Sequence, residues 1–404
     1  MNTRRRVRVL HLIKTVHGAR WALRQVTALR HLGVEVTVAL PEADRGLAPE
    51  YGRAGAKVLS ADLDFTTARP WSLPAAIRRC RTLVAHVRPD IIHSHFVSTT
   101  IVARLALGRT HAVPRIFQVP GPLHLEHRIF RRLDLATSGD PDYWVGSCRW
   151  TCEAYRRLGV HADRLFLSYY GTDVRRLTST SRDAFRCTLG IDATIPLVGM
   201  IAYTYAPKWV LAQRRGLKGH EDLIDAFQRL RLRVPTARAV IVGGPWVGAE
   251  RYEGRLQRQA RAICGDALRF VGKRDDVPVV YGDLDVAVHP SLSENCGGAV
   301  ESLAAGCPTV ASAVGGLPDV VINGETGWLV PPGDPAALSV AIEEVLADPT
   351  EGRRRARAGQ RLVGRLFDIE RTGREVLSIY DRILAQDVDA RLAQGSEHAA
   401  TAVG

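Results

Sequence analysis

The chain has no long apolar run: nowhere in its 404 residues do the roughly 18 consecutive apolar residues of a membrane-spanning helix occur. Its first apolar stretch, 7–13, is broken by Arg8 and His11 and followed by Lys14, a poor secretion signal but a good buried strand. Cysteine is sparse. The seven residues, at 80, 148, 152, 187, 264, 296 and 307, form no CxxC pair, which argues against a disulfide scaffold. Cys148 and Cys152 stand four apart with no histidine or second pair beside them, so zinc is not expected there. A reduced, cytoplasmic protein is expected, with any membrane contact peripheral. No GxGxxG follows the first strand, which excludes a dinucleotide-dependent dehydrogenase.

Acidic compensation is missing from one part of the chain only. Residues 1–172 hold 26 Lys plus Arg against 13 Asp plus Glu, while 173–404 hold 29 of each, so the net charge of +13 belongs to the first part. A basic face there favours an anionic partner molecule or an anionic membrane surface. Its arginines are scattered singly and in pairs, without a basic stripe interleaved with aromatics, so a nucleic-acid partner is not expected.

What is present is regular alternation. The runs 7–13, 34–40, 56–60, 90–95, 115–119 and 143–147 read as strands, with helical spacing between them, and Gly33 stops the first helix. The pattern restarts at 195–203 and continues through 238–244, 268–272, 285–291 and 308–313, and Asn323-Gly324 is suited to a tight reversal. Two α/β, doubly wound parallel-sheet domains are expected to face an interdomain cleft. The first is 1–172; 173–190 is a polar hinge; 191–365 is the second domain. Residues 366–387 form a closing helix packing back toward the first domain, and 388–404 a disordered tail.

The run "VHPSLSENCGGAVESLAAGCPTVASAVGGLPDVVINGETGWLVPPGD" (288–334) resembles the donor half of retaining glycosyltransferases of group 1, also called family 4. "RPDIIHSH" (88–95), "YGTD" (170–173), "KGHEDLIDAF" (218–227), "VGGP" (242–245) and "FVG" (270–272) follow the family's order, so the resemblance covers roughly 7–385. It implies the GT-B fold, two Rossmann-like domains, a nucleotide-sugar donor and retention of anomeric configuration. Uridine diphosphate is the family's commoner carrier. The acceptor is left open between a glycan, a glycolipid and a small molecule such as a natural-product core.

The chemistry asks for cationic or N–H donors on the departing diphosphate and hydroxyl clamps on the sugar. Lys218, before Gly219 at the start of a helix, suits a point charge on the diphosphate. Gly297 and Gly298 open a helix whose bare amides can take phosphate and sugar oxygens. In the family pattern the second of two glutamates holds the ribose and the first contacts the donor sugar. Glu301 matches the second; Glu294 stands seven residues before it where the family spacing is eight. The resemblance also puts Gly18, Gly243, Gly272 and Lys273 on the donor side. The family's arginine after the preceding strand is missing from "IAYTYAPK" (201–208), and Arg214 or Arg215 is the candidate substitute. In the first domain, His124 is the candidate for touching donor sugar or acceptor, with His17, Arg20 and His95 on the acceptor side. His93 is read as a core residue. Asp-x-Asp occurs at 62–64, 140–142 and 283–285, away from the expected donor site or at a strand start, so neither a metal nor another cofactor is expected. A GT-B nucleotide-sugar epimerase is the near alternative, and a polyanion- or nucleic-acid-binding protein the alternative from another class.

"HRIFRRLDL" (127–135) sets Ile129, Phe130 and Leu133 beside Arg128, Arg131 and Arg132. It reads as a surface helix packed on its own sheet, or as one resting on an anionic bilayer.

Overall fold

The structure, a computed structural model, describes residues 6–65, 70–177, 183–208 and 213–401, with side chains to residue 386. The chain forms two compact units. The first runs to Thr172 and takes up the chain again from Ile369; the second is Asp173–Asp368.

The first unit is built on a seven-stranded parallel sheet: β1 Arg8–Leu12, β2 Glu35–Leu40, β3 Lys57–Ser60, β4 Ile91–Ser94, β5 Arg115–Val119, β6 Asp142–Gly146 and β7 Leu165–Leu167, in spatial order β3-β2-β1-β4-β5-β6-β7. The interior strands are buried on both faces, hence their nearly continuous apolar runs. The first helix, Arg20–His31, buries Ala22, Leu23, Val26 and Leu29. It stops where Gly33 takes φ +86°, its amide bonding Arg30 O and the Val34 amide bonding Leu29 O, a paired closure that needs the left-handed conformation. The last helix, Ile369–Thr401, inserts Val376, Ile379, Tyr380 and Ile383 into this unit's core. It continues past the point where a disordered tail was expected; residues 387–401 contain no proline and several good helix formers.

The second unit carries a six-stranded parallel sheet: β8 Leu197–Ile201, β9 Arg238–Val242, β10 Leu268–Gly272, β11 Val286–His289, β12 Thr309–Ser312 and β13 Trp328–Val330, ordered β10-β9-β8-β11-β12-β13. The turn at Asn323-Gly324 leads into β13, which pairs parallel with β12, so the reversal makes no hairpin. The expected hinge is not a bare linker at its far end. Helix Ala184–Leu189 buries Phe185 completely, and Asp283 accepts from the amides of Asp183 (2.7 Å), Phe185 (2.6 Å) and Arg186 (3.2 Å). Residues 178–182 of that hinge lie outside the described residues.

In both sheets the order reverses once, between β1 and β4 and between β8 and β11. Loops leaving the carboxyl ends of such a pair diverge to opposite faces and open a crevice that ligands use.

Candidate donor site and its counterpart in the first unit

At the β8/β11 reversal the sequence-predicted groups converge. The loop before helix His220–Arg231 is tied to the loop after β11, with the Leu292 amide donating to Leu217 O at 2.8 Å. Gly219, at φ +71°, lies so close to the Pro290 carbonyl that a Cβ would collide with it, which fixes Lys218 beside the second loop. Lys218 Nζ donates to Glu294 Oε2, and Glu294 Oε1 accepts from the Asn295 amide at 3.1 Å. Their side chains keep 22% and 14% exposure, enough for a ligand to reach them. Burial works against the Lys218 ammonium, but Glu294, with smaller help from Tyr205 and Glu301, outweighs it and raises its pKa above the usual lysine value. The lysine stays charged.

Helix Gly297–Ala304 starts directly against this pair. Gly297 has φ +35°, and a Cβ there would lie 2.8 Å from the Glu294 carboxyl carbon. A Cβ on Gly298 would come within 3.0 Å of the His289 ring, and the Gly298 carbonyl accepts from Tyr281 Oη at 3.3 Å. Cys296, at the N-cap, provides no side-chain cap, so the first amides depend on other partners. Glu301 is half-buried one turn along the same helix. Beneath them His289 Nε2 meets Ser302 Oγ at 3.0 Å; burial lowers its pKa to about 4, so it stands neutral. Sequence reasoning missed His289 and Tyr205. The signal for His289 was its place at the end of a strand two residues before the motif's serine; for Tyr205 there was none.

Gly243 follows β9 and Gly272 ends β10, and the two are joined by Gly243 N to Gly272 O at 2.9 Å; Lys273 beyond them is exposed. Arg215 corrects the expectation of a substitute cation, because it is bonded to Asp222, whose side chain is only 2% exposed and needs a counter-charge. Arg214 is exposed and forms no ion pair with a described residue.

At the β1/β4 reversal of the first unit, the loop between β1 and the first helix exposes His17 and Gly18, the latter at φ +77°. Thr15 Oγ1 closes a local turn with His17 O at 2.9 Å. Arg20 pairs with Glu50 at 3.3 Å, largely in solvent, where such a pair contributes little. His95 is the main correction here. It is fully buried, with Nε2 2.9 Å from His11 Nδ1 and Nδ1 2.9 Å from Tyr170 Oη, and it does not reach a surface. His11 and His93 are cross-strand neighbours, and the three imidazoles stack at 4.4–5.2 Å between ring centroids. His93 Nδ1 lies 2.6 Å from Tyr380 Oη. One nitrogen of each ring lies within 4.8 Å of the others. Burial lowers the pKa of His11 to about 3 and those of His93 and His95 well below the ordinary value, so all three are neutral.

His124 is likewise turned inward. Its Nε2 lies 2.9 Å from Tyr155 Oη and 3.5 Å from Asp134, whose carboxylate also binds Arg104 at 2.6 Å. This buried network holds strands and helices together and gives His124 a packing role. Three of the Asp-x-Asp carboxylates have similar work. Asp142 binds Arg104 and Arg115, Asp283 caps a helix, and Asp285 pairs with Arg186 at 2.8 Å.

Both units match models of known protein families. Residues 18–171 match the model of the glycosyl transferase 4-like domain and residues 210–362 that of glycosyl transferases group 1. The D-inositol 3-phosphate glycosyltransferase of Salinispora tropica is 34% identical over 339 residues, covering 77% of this chain and 68% of that protein. The glycogen synthase of Mycobacterium tuberculosis strain H37Rv is 36% identical over 170 residues, 40% of this chain and only 39% of its own length. In fold, Anabaena Alr3699/HepE, solved in complex with UDP, superposes with a TM-score of 0.76 at 19% identity, covering 93% of this chain and 99% of that one. The chain belongs to the group 1 glycosyltransferases and has their GT-B architecture of two Rossmann-like units. Among the described residues no helix is long and apolar enough to cross a membrane.

Proposed function

We propose that the protein transfers a sugar from a nucleoside diphosphate, preferentially UDP, to an acceptor hydroxyl with retention of configuration and without a metal. The observation that carries this reading is Lys218 bonded to Glu294 at the mouth of helix Gly297–Ala304. On binding, the diphosphate takes the ammonium and the free amides of the helix, and Glu294 turns to the sugar hydroxyls. The bond from the anomeric carbon to the diphosphate then breaks, its electron pair leaving on the phosphate oxygen that Lys218 and the helix stabilise. The acceptor oxygen bonds the same carbon and its proton passes to the departing phosphate. The preference for uridine is supported by the UDP complex of the Anabaena neighbour.

In this reading Glu301 holds the ribose. Glu301→Ala is expected to weaken calorimetric UDP affinity by roughly tenfold, the loss of charge-assisted hydrogen bonds; undiminished affinity would remove it from the ribose. With Lys218 and the amides supplying the positive potential, EDTA should leave the transfer rate unaltered, and inhibition reversed by magnesium would overturn the metal-free reading.

The acceptor side carries a surface feature that favours an anionic, lipid-linked acceptor. Helix Arg128–Ala136 buries Asp134 but leaves Ile129 62% and Leu133 40% exposed, one turn apart and flanked by Arg128 and Arg132. Such a face suits the headgroup region of an anionic bilayer. The wild type should float with vesicles rich in phosphatidylglycerol, and Arg128→Glu/Arg132→Glu should not; equal partitioning of both would leave only a soluble acceptor.

A further inference from the structure

The loop after β8 lacks the arginine that the family places there, and the structure shows what stands in its place. Tyr203 and Tyr205 flank Thr204, which is buried, so alternation turns both tyrosines to the other side. Trp246, from the loop after β9, lies between them, its ring 5.5 Å from Tyr203 and 5.4 Å from Tyr205. The two loops are zipped together beyond the ends of their strands: Thr204 N donates to Gly244 O and Trp246 N to Thr204 O, both at 2.9 Å. Gly243 allows this approach, since a Cβ there would strike the Ala202 carbonyl. The aromatic group is therefore held rigidly, yet it is not covered. Tyr203 is 40% exposed and the neighbouring Val247 90%. Buried aromatics at such a position would need no explanation; an exposed apolar lip on the ligand-facing edge of a sheet does.

Its position relates it to the donor. Tyr205 O lies 2.9 Å from where a Cβ on Gly216 would sit, and Gly216 O accepts from the Gly219 amide at 3.1 Å, in the turn that presents Lys218. The platform thus adjoins the diphosphate cation on the β9 side, where Gly243 and Gly272 keep the strand ends free of side chains.

We infer that Tyr203, Trp246 and Tyr205 form a stacking platform for the nucleobase of the donor. The inference rests on the donor reading above and adds to it the group that grips the far end of the nucleotide. Stacking on aromatic rings tolerates any base and stabilises each by an amount that alanine substitution readily exposes. The test is calorimetric titration with UDP, together with displacement of UDP by inorganic pyrophosphate, on wild type, Trp246→Ala, Trp246→Phe, Tyr203→Ala and Lys218→Ala, each first checked for an unchanged melting transition. Trp246→Ala and Tyr203→Ala should each weaken UDP by about tenfold or more and leave pyrophosphate unchanged. Trp246→Phe should recover most of the affinity. Lys218→Ala should weaken both ligands. UDP affinity unaltered in Trp246→Ala and Tyr203→Ala, or an equal loss for UDP and pyrophosphate, would overturn the platform while leaving the donor site standing. A wild type that binds no nucleoside diphosphate would overturn the donor reading itself.

Discussion

Lys218→Ala is expected to lower turnover by about 10²–10³, the usual consequence of removing one preorganised donor from a developing anion. The expectation is large for two reasons. Lys218 is the cation that bonds Glu294, and the neighbouring Arg215 is occupied by Asp222. Removing the ammonium also leaves Glu294, 14% exposed, facing the incoming diphosphate as an uncompensated like charge. Lys218→Arg should recover little, because Gly219 and Pro290 fix the main chain tightly and a planar fork does not fit a site shaped around a compact ammonium. The measurement is initial rate of UDP release from donor, with and without acceptor. Turnover within a factor of a few of wild type would take Lys218 out of the reaction.

The second large effect concerns pH. Unfolded histidines take up protons near pH 6.5, whereas buried His11 resists until about pH 3 and His93 and His95 resist likewise. Between those limits the unfolded chain binds more protons than the folded one, so stability is full above about pH 6.5 and falls as the pH drops. Each histidine contributes up to about 1.4 kcal/mol per pH unit, and three together about 4 kcal/mol per unit. The groups packed on the stack include the hydroxyls of Tyr170 and Tyr380, the indole of Trp21 and the amide of Gln118, none of which carries a charge to offset protonation. His289 and His220, with pKa values lowered by burial to about 4 and about 3, add the same trend in the second unit. Asp134, held down to about 2, adds to the loss only below about pH 4, where the unfolded carboxylate begins to take up protons. Urea midpoints should therefore drop steeply between pH 7 and pH 5, and His11→Gln should flatten that dependence. A midpoint constant over this interval would contradict the neutral stack.

Much of the fold could be read from the chain because buried parallel strands are written as short apolar runs between breakers. β7 was harder: Leu165–Leu167 is three residues long and only half-buried, so it has neither length nor continuity. The grouping of Glu294, Gly297, Gly298 and Glu301 was legible because they lie within one short segment whose local geometry brings them together. His95 and His124 were misread for the opposite reason. A histidine at a strand end or in a loop faces solvent or core according to partners distant in sequence, here His11 and Tyr170 for one, Tyr155 and Asp134 for the other. The sequence reading separated His93, as a core residue, from His95, on the acceptor side; only the β1–β4 register reveals that His11 lies opposite His93. The aromatic platform depends on two loops zipped across a gap of forty residues, which no local pattern records.

The course of the chain also has a consequence for biosynthesis. Val376, Ile379, Tyr380 and Ile383 complete the core of the first unit, yet they are translated after the whole of the second. On the ribosome the later-encoded unit has all its strands before the earlier one can close, so the nascent amino-terminal sheet must wait, partly bare, for its final helix. A stop codon just after residue 368 would spare every strand of both sheets and still leave the first of them unfinished.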